Sequence, residues 1–438
     1  MTNSRRTART VRRAALPAAC TALLVAGLAL PAAGADCAAP SAVPVATAAS
    51  TPDPTPSGPA LKTIDPAALR NAVEAATKKM TVPGALVLLT TPQGTFEVGV
   101  GTAELDKSRT PTAADHFRIA SNTKTMTSAL ILLLAQDGRL RLSDPVSDYV
   151  RDVPNGQNIT LIQLLKMRSG LYNYTDSPEL AASLDAEPAA ARTPRQMLDI
   201  AFAQPPNSAP GAEYEYNNTN YVLLGLVAEK AGGAPLAQQL QDRLYTPLGL
   251  GRTSFPAIHD TSVPTPYSHG YMYGGTGYAL VDKPYPADLR AAARSGKLKP
   301  IDYTHQNPSY AAGAGAAISS ADDAATWIRS LTTGKVLGPA TQQQWLDSPQ
   351  AEDPAAPDGQ KYGYGIAHQR FGPRAAMYFH GGELPGYNSF IGHDPDNGVT
   401  LVVWTNLTVS PDGKATANAL LPTVLNQVYA GLALPSAV

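Results

Sequence analysis

Two hairpin patterns at opposite ends of the chain constrain its fold more than any other feature. Near the N-terminal end, GALVLLTTPQGTFEVGVGTAE (84–104) has two β-rich runs separated by the turn PQG at 92–94. Near the C-terminal end, YNSFIGHDPDNGVTLVVWTN (387–406) repeats the pattern around the turn DNG at 396–398. Strands at both ends, with helical sequence between them, predict one antiparallel sheet formed by the N- and C-terminal segments. The predicted class is therefore α+β, with helices flanking the sheet and a mainly helical subdomain.

Helical patterns lie outside both hairpins. Asp65 can cap a helix that has Pro66 at its first position and runs to about Lys79. A final helix is predicted from about 414 to 429. The stretch 258–309 is rich in Tyr, Pro and Gly and has little periodicity, so it predicts a long loop of the kind that usually has a function.

The N-terminus has the layout of a secretory signal peptide. Several arginines precede an Ala/Leu-rich run from about 14 to 33, and Ala33-Gly34-Ala35 forms a small-x-small cleavage site. We therefore predict a signal peptide at 1–35, cleavage near Ala35 and secretion. Residues 36–60 are dominated by Ala, Pro, Thr and Ser, which predicts a disordered linker before a globular domain at 61–435. An uncleaved anchor and lipidation of Cys37 are the alternatives.

Charge, cysteine and histidine content exclude several classes of protein. A net charge of −1 offers no basic stripe, so we predict no nucleic-acid partner. Cys20 lies in the signal segment and leaves Cys37 without a partner for an internal disulfide. The seven histidines show no H-E-x-x-H or clustered spacing, so neither a metal nor another cofactor is predicted. After signal cleavage we expect no stable membrane span, and we expect a monomer.

The apolar helix in FRIASNTKTMTSALILLLAQDGRL (117–140) has a serine and a lysine at its start. Ser121 begins this predicted helix, which ends at Gly138, and Lys124 lies on the same face almost one turn later. A desolvated lysine has a lowered pKa and can act as a base toward a serine hydroxyl. The helix N-terminus adds N–H groups for a developing oxyanion. In the alternative interpretation, Ser121 only caps the helix and Lys124 is solvated.

Two further motifs follow in the chain. Tyr216 and Asn218 form Y-x-N on a loop that leads into a helix from about Tyr221. A phenol beside the lysine can relay protons, and the amide can hold either a substrate amide or the lysine. His380 precedes Gly381 and Gly382 at the end of a predicted strand, where the main chain can approach a ligand closely. The structural alternatives are an asparagine-capped helix start and a histidine with no chemical role.

Together, S-x-x-K, Y-x-N and H-G-G in this order resemble the penicillin-recognising serine hydrolases, the DD-carboxypeptidase and class C β-lactamase family. The resemblance covers nearly all of 64–430, including LLKMRSGLYNY, LYTPLGLGRTSF and YAAGAGAAISSADDAATWIRSL. It implies a β-lactamase/DD-peptidase-like fold and an acyl-enzyme mechanism without a metal. The implied roles are nucleophile for Ser121, base for Lys124, proton shuttle for Tyr216, substrate-amide ligand for Asn218, counterpart of the third-motif cation for His380, and an oxyanion hole from the N–H groups of Ser121 and Glu383.

The third motif departs from the secreted DD-carboxypeptidase pattern, in which threonines help to hold the free carboxylate of the substrate. Gly381 and Glu383 replace those threonines here. Losing both hydroxyls and gaining a carboxylate should weaken recognition of a D-Ala-D-Ala terminus. A D-alanyl-D-alanine carboxypeptidase acting on peptidoglycan stem peptides remains the first expectation. An esterase, a D-amino-acid peptidase, a β-lactamase and a penicillin-binding sensor without turnover are the alternatives.

Overall fold

The computed structural model describes residues 59–281 and 283–435. The predicted signal peptide, and all of the predicted linker except its last two residues, lie outside the described residues. Within those residues, no helix is both long and apolar enough to cross a membrane.

An antiparallel sheet of eight strands forms the centre of the fold, in the order β2-β1-β12-β11-β10-β9-β8-β7. Two short pairs, β3 with β6 and β4 with β5, lie outside it. The strands are β1 (Gly84–Thr91), β2 (Gly94–Gly101), β3 (Phe117–Arg118), β4 (Tyr271–Met272), β5 (Ile301–Asp302), β6 (Ile318–Ser319), β7 (Gln350–Ala351), β8 (Lys361–Tyr362), β9 (Ala367–Gly372), β10 (Ala375–Leu384), β11 (Tyr387–Asp394) and β12 (Val399–Thr405).

Helices lie before, between and after these strands. They are α1 (Pro66–Lys79), α2 (Thr123–Gln136), α3 (Leu161–Leu165), α4 (Pro178–Ala186), α5 (Pro194–Phe202), α6 (Asn218–Gly232), α7 (Leu236–Leu240), α8 (Thr246–Leu248), α9 (Gly277–Leu280), α10 (Ala287–Arg294), α11 (Ala312–Gly315), α12 (Ala321–Thr332), α13 (Pro339–Leu346) and α14 (Thr416–Val428). Most of them fall between β2 and β7, which is the helical region that the sequence predicts.

Both terminal hairpins form as predicted, and they pair with each other. β1 and β12, the second and third strands of the sheet, run antiparallel, with Ala85 opposite Thr405. α1 and α14 pack against each other, and α14 also contacts β11 and β12. Asp65 caps α1 by accepting hydrogen bonds from the N–H groups of Ala67 and Ala68. The predicted α+β architecture is therefore confirmed.

α2 packs among the helices, and its segment 129–135 is entirely apolar. It contacts α6 and α11, and the turn before it contacts β10. Eleven of its fourteen residues are buried. A helix enclosed on all sides places any side chain at its start in a desolvated position.

The stretch 258–309, predicted as a loop, has more regular structure than its sequence indicates. It contains β4, α9, α10 and β5. α9 contacts α4 on the helical side and β10 on the sheet side. Residues of this segment therefore lie beside the strand that carries the H-G-G motif.

Candidate active site

Ser121 lies in a tight turn rather than in the helix itself. Residues Ala120–Asn122 form a 3₁₀ turn, and α2 begins only at Thr123, two residues later than predicted. Ala120, directly before the serine, has a φ of 50°, in the left-handed region that residues with a side chain rarely adopt. Strained backbone of this kind is typical of functional sites, where the surrounding structure holds a side chain in one orientation.

Lys124 is buried and reaches three oxygen atoms. Its Nζ lies 2.9 Å from Ser121 Oγ, 2.8 Å from Asn218 Oδ1 and 2.8 Å from the carbonyl oxygen of Ala314. The contact with Ser121 Oγ joins the two residues of S-x-x-K, as the helical spacing predicts. The solvated alternative for Lys124 is wrong, because its exposed fraction is 0%.

The environment of Lys124 suits a neutral amine. Burial lowers the pKa of Lys124 well below its ordinary value of 10.5, because a protein interior disfavours the charged form. Two of its three contacts, Asn218 Oδ1 and the Ala314 carbonyl, can only accept hydrogen bonds. A neutral amine satisfies both with its two N–H groups and offers its lone pair to the hydroxyl of Ser121. This geometry allows the lysine to take the proton of the serine.

Tyr216 packs over the lysine. Its ring centroid lies 4.9 Å from Lys124 Nζ and 6.2 Å from the centroid of Tyr362, in an edge-to-face arrangement. The residue is half-buried, unlike the fully buried lysine beneath it. A phenol that covers the amine and also reaches solvent is well placed to move a proton between the lysine and a bound substrate.

Asn218 holds the lysine, which is one of the two roles considered for it. Its Oδ1 accepts from Lys124 Nζ, its Nδ2 donates to Thr175 Oγ1 at 3.0 Å, and its main-chain N–H donates to Asn173 Oδ1 at 3.0 Å. It is also the first residue of α6 and not part of the preceding loop, and Asn217 caps the helix. The role of substrate-amide ligand stays a prediction.

Burial disfavours a positive charge on His380, and its expected role as the counterpart of the third-motif cation stays a prediction. Burial, together with the nearby Lys124, lowers the pKa of His380 to about 3. Both ring nitrogens are engaged, Nε2 with the Tyr362 hydroxyl at 2.9 Å and Nδ1 with the Gly381 carbonyl at 2.6 Å. Since the carbonyl only accepts, Nδ1 carries the proton and Tyr362 donates to Nε2. These bonds orient the histidine and leave it no nitrogen for a substrate.

Gly382 brings β10 against the turn that carries the nucleophile. A Cβ at this position would overlap the carbonyl oxygen of Ile119 and the hydroxyl of Ser389, and it would lie 2.6 Å from Asn122 Nδ2. Gly381 is different, since a Cβ there would meet nothing closer than Asn418 Oδ1 at 3.7 Å. The close approach of β10 to the nucleophile turn therefore depends on Gly382, while a close approach of this main chain to a ligand stays a prediction.

Glu383 follows on the same strand and is half-buried. Its carboxylate accepts a hydrogen bond from Asn388 Nδ2 at 3.1 Å, across the pairing of β10 with β11. Burial is the main cause of the raised pKa of Tyr285, and the charge of Glu383 also contributes to it. The structure thus places the residues of all three motifs together, while their catalytic and binding roles stay predictions.

Several contributors to this site have no recognisable sequence signal. The Ala314 carbonyl belongs to a stretch of alanine and glycine, and Thr175 is 43 residues before its partner Asn218. Tyr362 lies on β8, which has only two residues. The resemblance included the segment that contains Ala314 and one that ends directly before Thr175, but without a role for either residue. Among the described residues, no group of three or more His, Cys, Asp or Glu is placed to hold a metal ion.

Comparison with known proteins identifies the family. The chain matches the Beta-lactamase family over residues 69–424. Protein flp of Staphylococcus aureus (strain MW2) is 34% identical over 183 residues, which are 40% of this chain and 35% of flp. The chain therefore spans about a third of the length of that relative. The putative penicillin-binding protein PbpX of Bacillus subtilis (strain 168) is 24% identical over 314 residues, 72% of this chain and 66% of PbpX.

A solved structure supports the same assignment. The D-stereospecific amidohydrolase from Streptomyces sp. is 28% identical and superposes with a TM-score of 0.69, covering 81% of this chain and 98% of that one. The fold is thus the β-lactamase-like fold that the three motifs implied. This chain belongs to the Beta-lactamase family, the penicillin-recognising serine hydrolases.

Proposed function

We propose that the protein is a secreted hydrolase that cleaves amide bonds of D-amino-acid derivatives through an acyl-enzyme on Ser121. The contact of 2.9 Å between Lys124 Nζ and Ser121 Oγ, inside a desolvated pocket, is the main support for the nucleophile. The D-stereospecific amidohydrolase from Streptomyces, at 28% identity, supports the substrate class. Secretion rests on the signal-peptide pattern of residues 1–35.

In the proposed reaction, the neutral amine of Lys124 takes the proton of Ser121 while Oγ attacks the carbonyl carbon of the substrate. The N–H groups of Ser121 and Glu383 stabilise the oxyanion. Lys124 passes this proton to Tyr216 as Tyr216 gives its own proton to the leaving nitrogen, the C–N bond breaks, and an ester to Ser121 remains. A water molecule then gives a proton to the same relay and attacks the ester carbon; the C–Oγ bond breaks, the relay returns the proton to Ser121 Oγ, and the acid is released.

A D-alanyl-D-alanine carboxypeptidase is the second candidate. The order of S-x-x-K, Y-x-N and H-x-G in the chain favours it. The charge of Glu383, the missing hydroxyl at Gly381 and the neutral state of His380 disfavour it, because each weakens the binding of a free carboxylate. For this reason the amide of a D-amino acid is the preferred substrate.

The experiment compares hydrolysis of D-alanine p-nitroanilide, its L enantiomer, D-Ala-D-Ala, nitrocefin and p-nitrophenyl acetate by wild type and Ser121→Ala. We expect turnover of the D-anilide above that of the L-anilide, and no turnover by Ser121→Ala. Hydrolysis of the ester alone would favour the esterase, and a permanent nitrocefin adduct without any turnover would favour a sensor. Equal rates for the two enantiomers would overturn the proposed substrate class.

The proposal also includes export and a monomeric state. Protein recovered from the culture medium of an expressing bacterium should begin at Asp36, because Ala33-Gly34-Ala35 is the cleavage signal. Mass spectrometry of the secreted protein reads its N-terminus, and sedimentation gives its mass in solution. A species that retains residues 1–35 in the membrane fraction would contradict secretion.

A further inference from the structure

The start of α6 is bonded along one side to the segment 169–176. Each of the four residues 217–220 takes part, through its side chain or its main chain. The bonds run from Asn217 Nδ2 to the Leu171 carbonyl (2.5 Å), from the Asn218 N–H to Asn173 Oδ1 (3.0 Å), from Asn218 Nδ2 to Thr175 Oγ1 (3.0 Å), from Thr219 Oγ1 to the Tyr172 carbonyl (2.7 Å) and from Ser169 Oγ to Asn220 Oδ1 (2.5 Å). This segment therefore fixes the part of α6 that carries the asparagine of Y-x-N.

Asn218 is held at two points by a single turn. Asn173 accepts from its main-chain N–H, and Thr175 accepts from its side-chain Nδ2. The turn is closed in its turn by Asp176, whose Oδ1 accepts from Asn173 Nδ2 at 2.8 Å and whose N–H donates to the Asn173 carbonyl at 3.0 Å. Asn173 and Thr175 are buried, with 7% and 5% exposed. Two attachment points on a buried turn restrict the orientation of the Asn218 amide.

This orientation matters for Lys124. An amide has an oxygen that only accepts and a nitrogen that only donates. The oxygen of Asn218 faces Lys124 Nζ at 2.8 Å and accepts from it. In the reverse orientation, Nδ2 would donate to the lone pair of the neutral amine, and one N–H of the amine would lose its acceptor. The lone pair could then no longer take the proton of Ser121.

We infer that Thr175 is a positioning residue for the reaction: it binds Nδ2 of Asn218, so that the amide oxygen faces Lys124 and the lone pair of the amine stays free for the proton of Ser121. The inference rests on the proposed function, in which Lys124 is the base. Without the hydroxyl of Thr175, the amide nitrogen would have no partner on the side away from the lysine. The amide could then turn its nitrogen toward the amine.

The test compares three threonine variants. Thr175→Val removes the hydroxyl and keeps the branched shape, and Thr175→Ser keeps the hydroxyl. Thr332→Val on α12 is the matched control, because Thr332 is also 5% exposed and its hydroxyl bonds only within its own helix, to the carbonyls of Ile328 and Arg329. Melting temperatures report on the folding of each variant.

The readout is the rate at which p-nitrophenyl acetate acetylates Ser121, measured across pH by release of p-nitrophenolate, with the adduct located by mass spectrometry. In this step Ser121 Oγ attacks the ester carbonyl, Lys124 takes the serine proton, and p-nitrophenolate leaves. The acetyl group contains no D-amino acid, so the rate reports on activation of the nucleophile. D-Alanine p-nitroanilide reports separately on the proposed substrate class.

Thr175→Val should lower the plateau rate by about 10- to 100-fold, the range that a small misplacement of a catalytic group gives. The pH at half of the plateau should also fall by about 0.5–1, because the amide oxygen stabilises the ammonium form more than the neutral amine. The titratable groups that face Lys124 are Tyr216, Tyr221 and His380. Burial raises the pKa of Asp176, in the turn, to about 6. All four groups are the same in every variant, so the comparison isolates the hydroxyl.

Thr175→Ser and Thr332→Val should keep the rate and the midpoint pH of wild type. A folded Thr175→Val with the wild-type rate and midpoint would overturn the inference. A lower melting temperature without a change of midpoint would also overturn it, because a purely structural role predicts that result. Wild type that is acetylated at Ser121 but does not hydrolyse the p-nitroanilide would overturn the proposed substrate class alone. Absence of a Ser121 adduct in wild type would overturn the nucleophile of the proposed function.

Discussion

At the scale of single residues, the protonation state of Lys124 determines what the site can do. An exposed lysine is almost fully protonated at neutral pH and has no lone pair to offer. Burial at the start of α2 lowers the pKa of Lys124, and the carbonyl of Ala314 and the amide of Asn218 orient the amine toward Ser121. The sequence predicts the spacing of serine and lysine, while the two acceptors come from residues 94 and 190 positions away.

The first prediction concerns pH. The activity of wild type should rise with pH through the lowered pKa of Lys124 and level off well below pH 10.5, since only the neutral amine accepts the serine proton. His380 titrates near pH 3, so it should add no step between pH 5 and 9. Lys124→Met should lose about 10³-fold or more in kcat/KM. The pH dependence of kcat/KM with D-alanine p-nitroanilide provides the measurement.

The stability of the same variant gives a second readout. Because the pKa of Lys124 is lower in the folded state, the unfolded chain binds more protons between the two pKa values. The free energy of unfolding should therefore rise with pH in that window for wild type, and less steeply for Lys124→Met. Lys166→Met is the control, because Lys166 is half-buried beside Tyr364 and does not contact Ser121. Equal loss of activity in both variants would argue against a specific role for Lys124.

At the scale of elements, prediction from the sequence succeeded where local patterns decide the structure. The cap at Asp65, the two hairpins and the apolar helix all form because residues close in the chain determine them. Contacts between distant elements could not be predicted from local patterns. The bond from Tyr362 to His380 and the short helices within 258–309 depend on tertiary packing. The lowered pKa of His380 could not be predicted for the same reason, since its burial is a property of the assembled sheet.

The second prediction contrasts the two glycines of β10. Gly382→Ala should destabilise the protein by about 1–3 kcal/mol, because its methyl group overlaps the Ile119 carbonyl and the Ser389 hydroxyl. A shift of the strand by about 1 Å should also slow acylation of Ser121 by about 100-fold. Gly381→Ala should leave the stability unchanged or slightly higher, since its methyl group has room and alanine orders the unfolded chain.

Thermal unfolding and the rate of labelling by a fluorescent penicillin measure both variants side by side. The comparison is matched, because the two positions are adjacent on one strand and receive the same substitution. If Gly382→Ala were as stable and as reactive as Gly381→Ala, the close approach of β10 to the nucleophile turn would have no energetic importance.

At the scale of the whole molecule, the two ends of the described chain form one structural unit. The main chain of Lys62 donates to the carbonyl of Val428, and Ala430 donates to the carbonyl of Ala60. Tyr429 on the same segment donates its hydroxyl to Asp394 at 2.7 Å. The helical region contributes Asn218 and Ala314 to the site. It lies between β2 and β7 along the chain, whereas the N- and C-terminal segments pair with each other. The sheet must therefore assemble from residues more than 300 positions apart before the site exists.

The third prediction follows from this closure. Deleting 416–438 removes α14, whose buried residues include Leu420, Val424 and Leu425. Burial of its large apolar side chains contributes about 1.5–3 kcal/mol each, so their sum is comparable to the total stability of about 5–15 kcal/mol for a typical domain. We expect this truncated chain to lack a cooperative unfolding transition and to react with no penicillin probe.

A chain beginning at Pro59 keeps residues 60–62, which pair with the C-terminal segment, and should retain the melting temperature and labelling rate of the longer protein. Calorimetry and penicillin labelling of the two truncations test this directly, and cooperative unfolding without α14 would show that the sheet does not need its C-terminal helix.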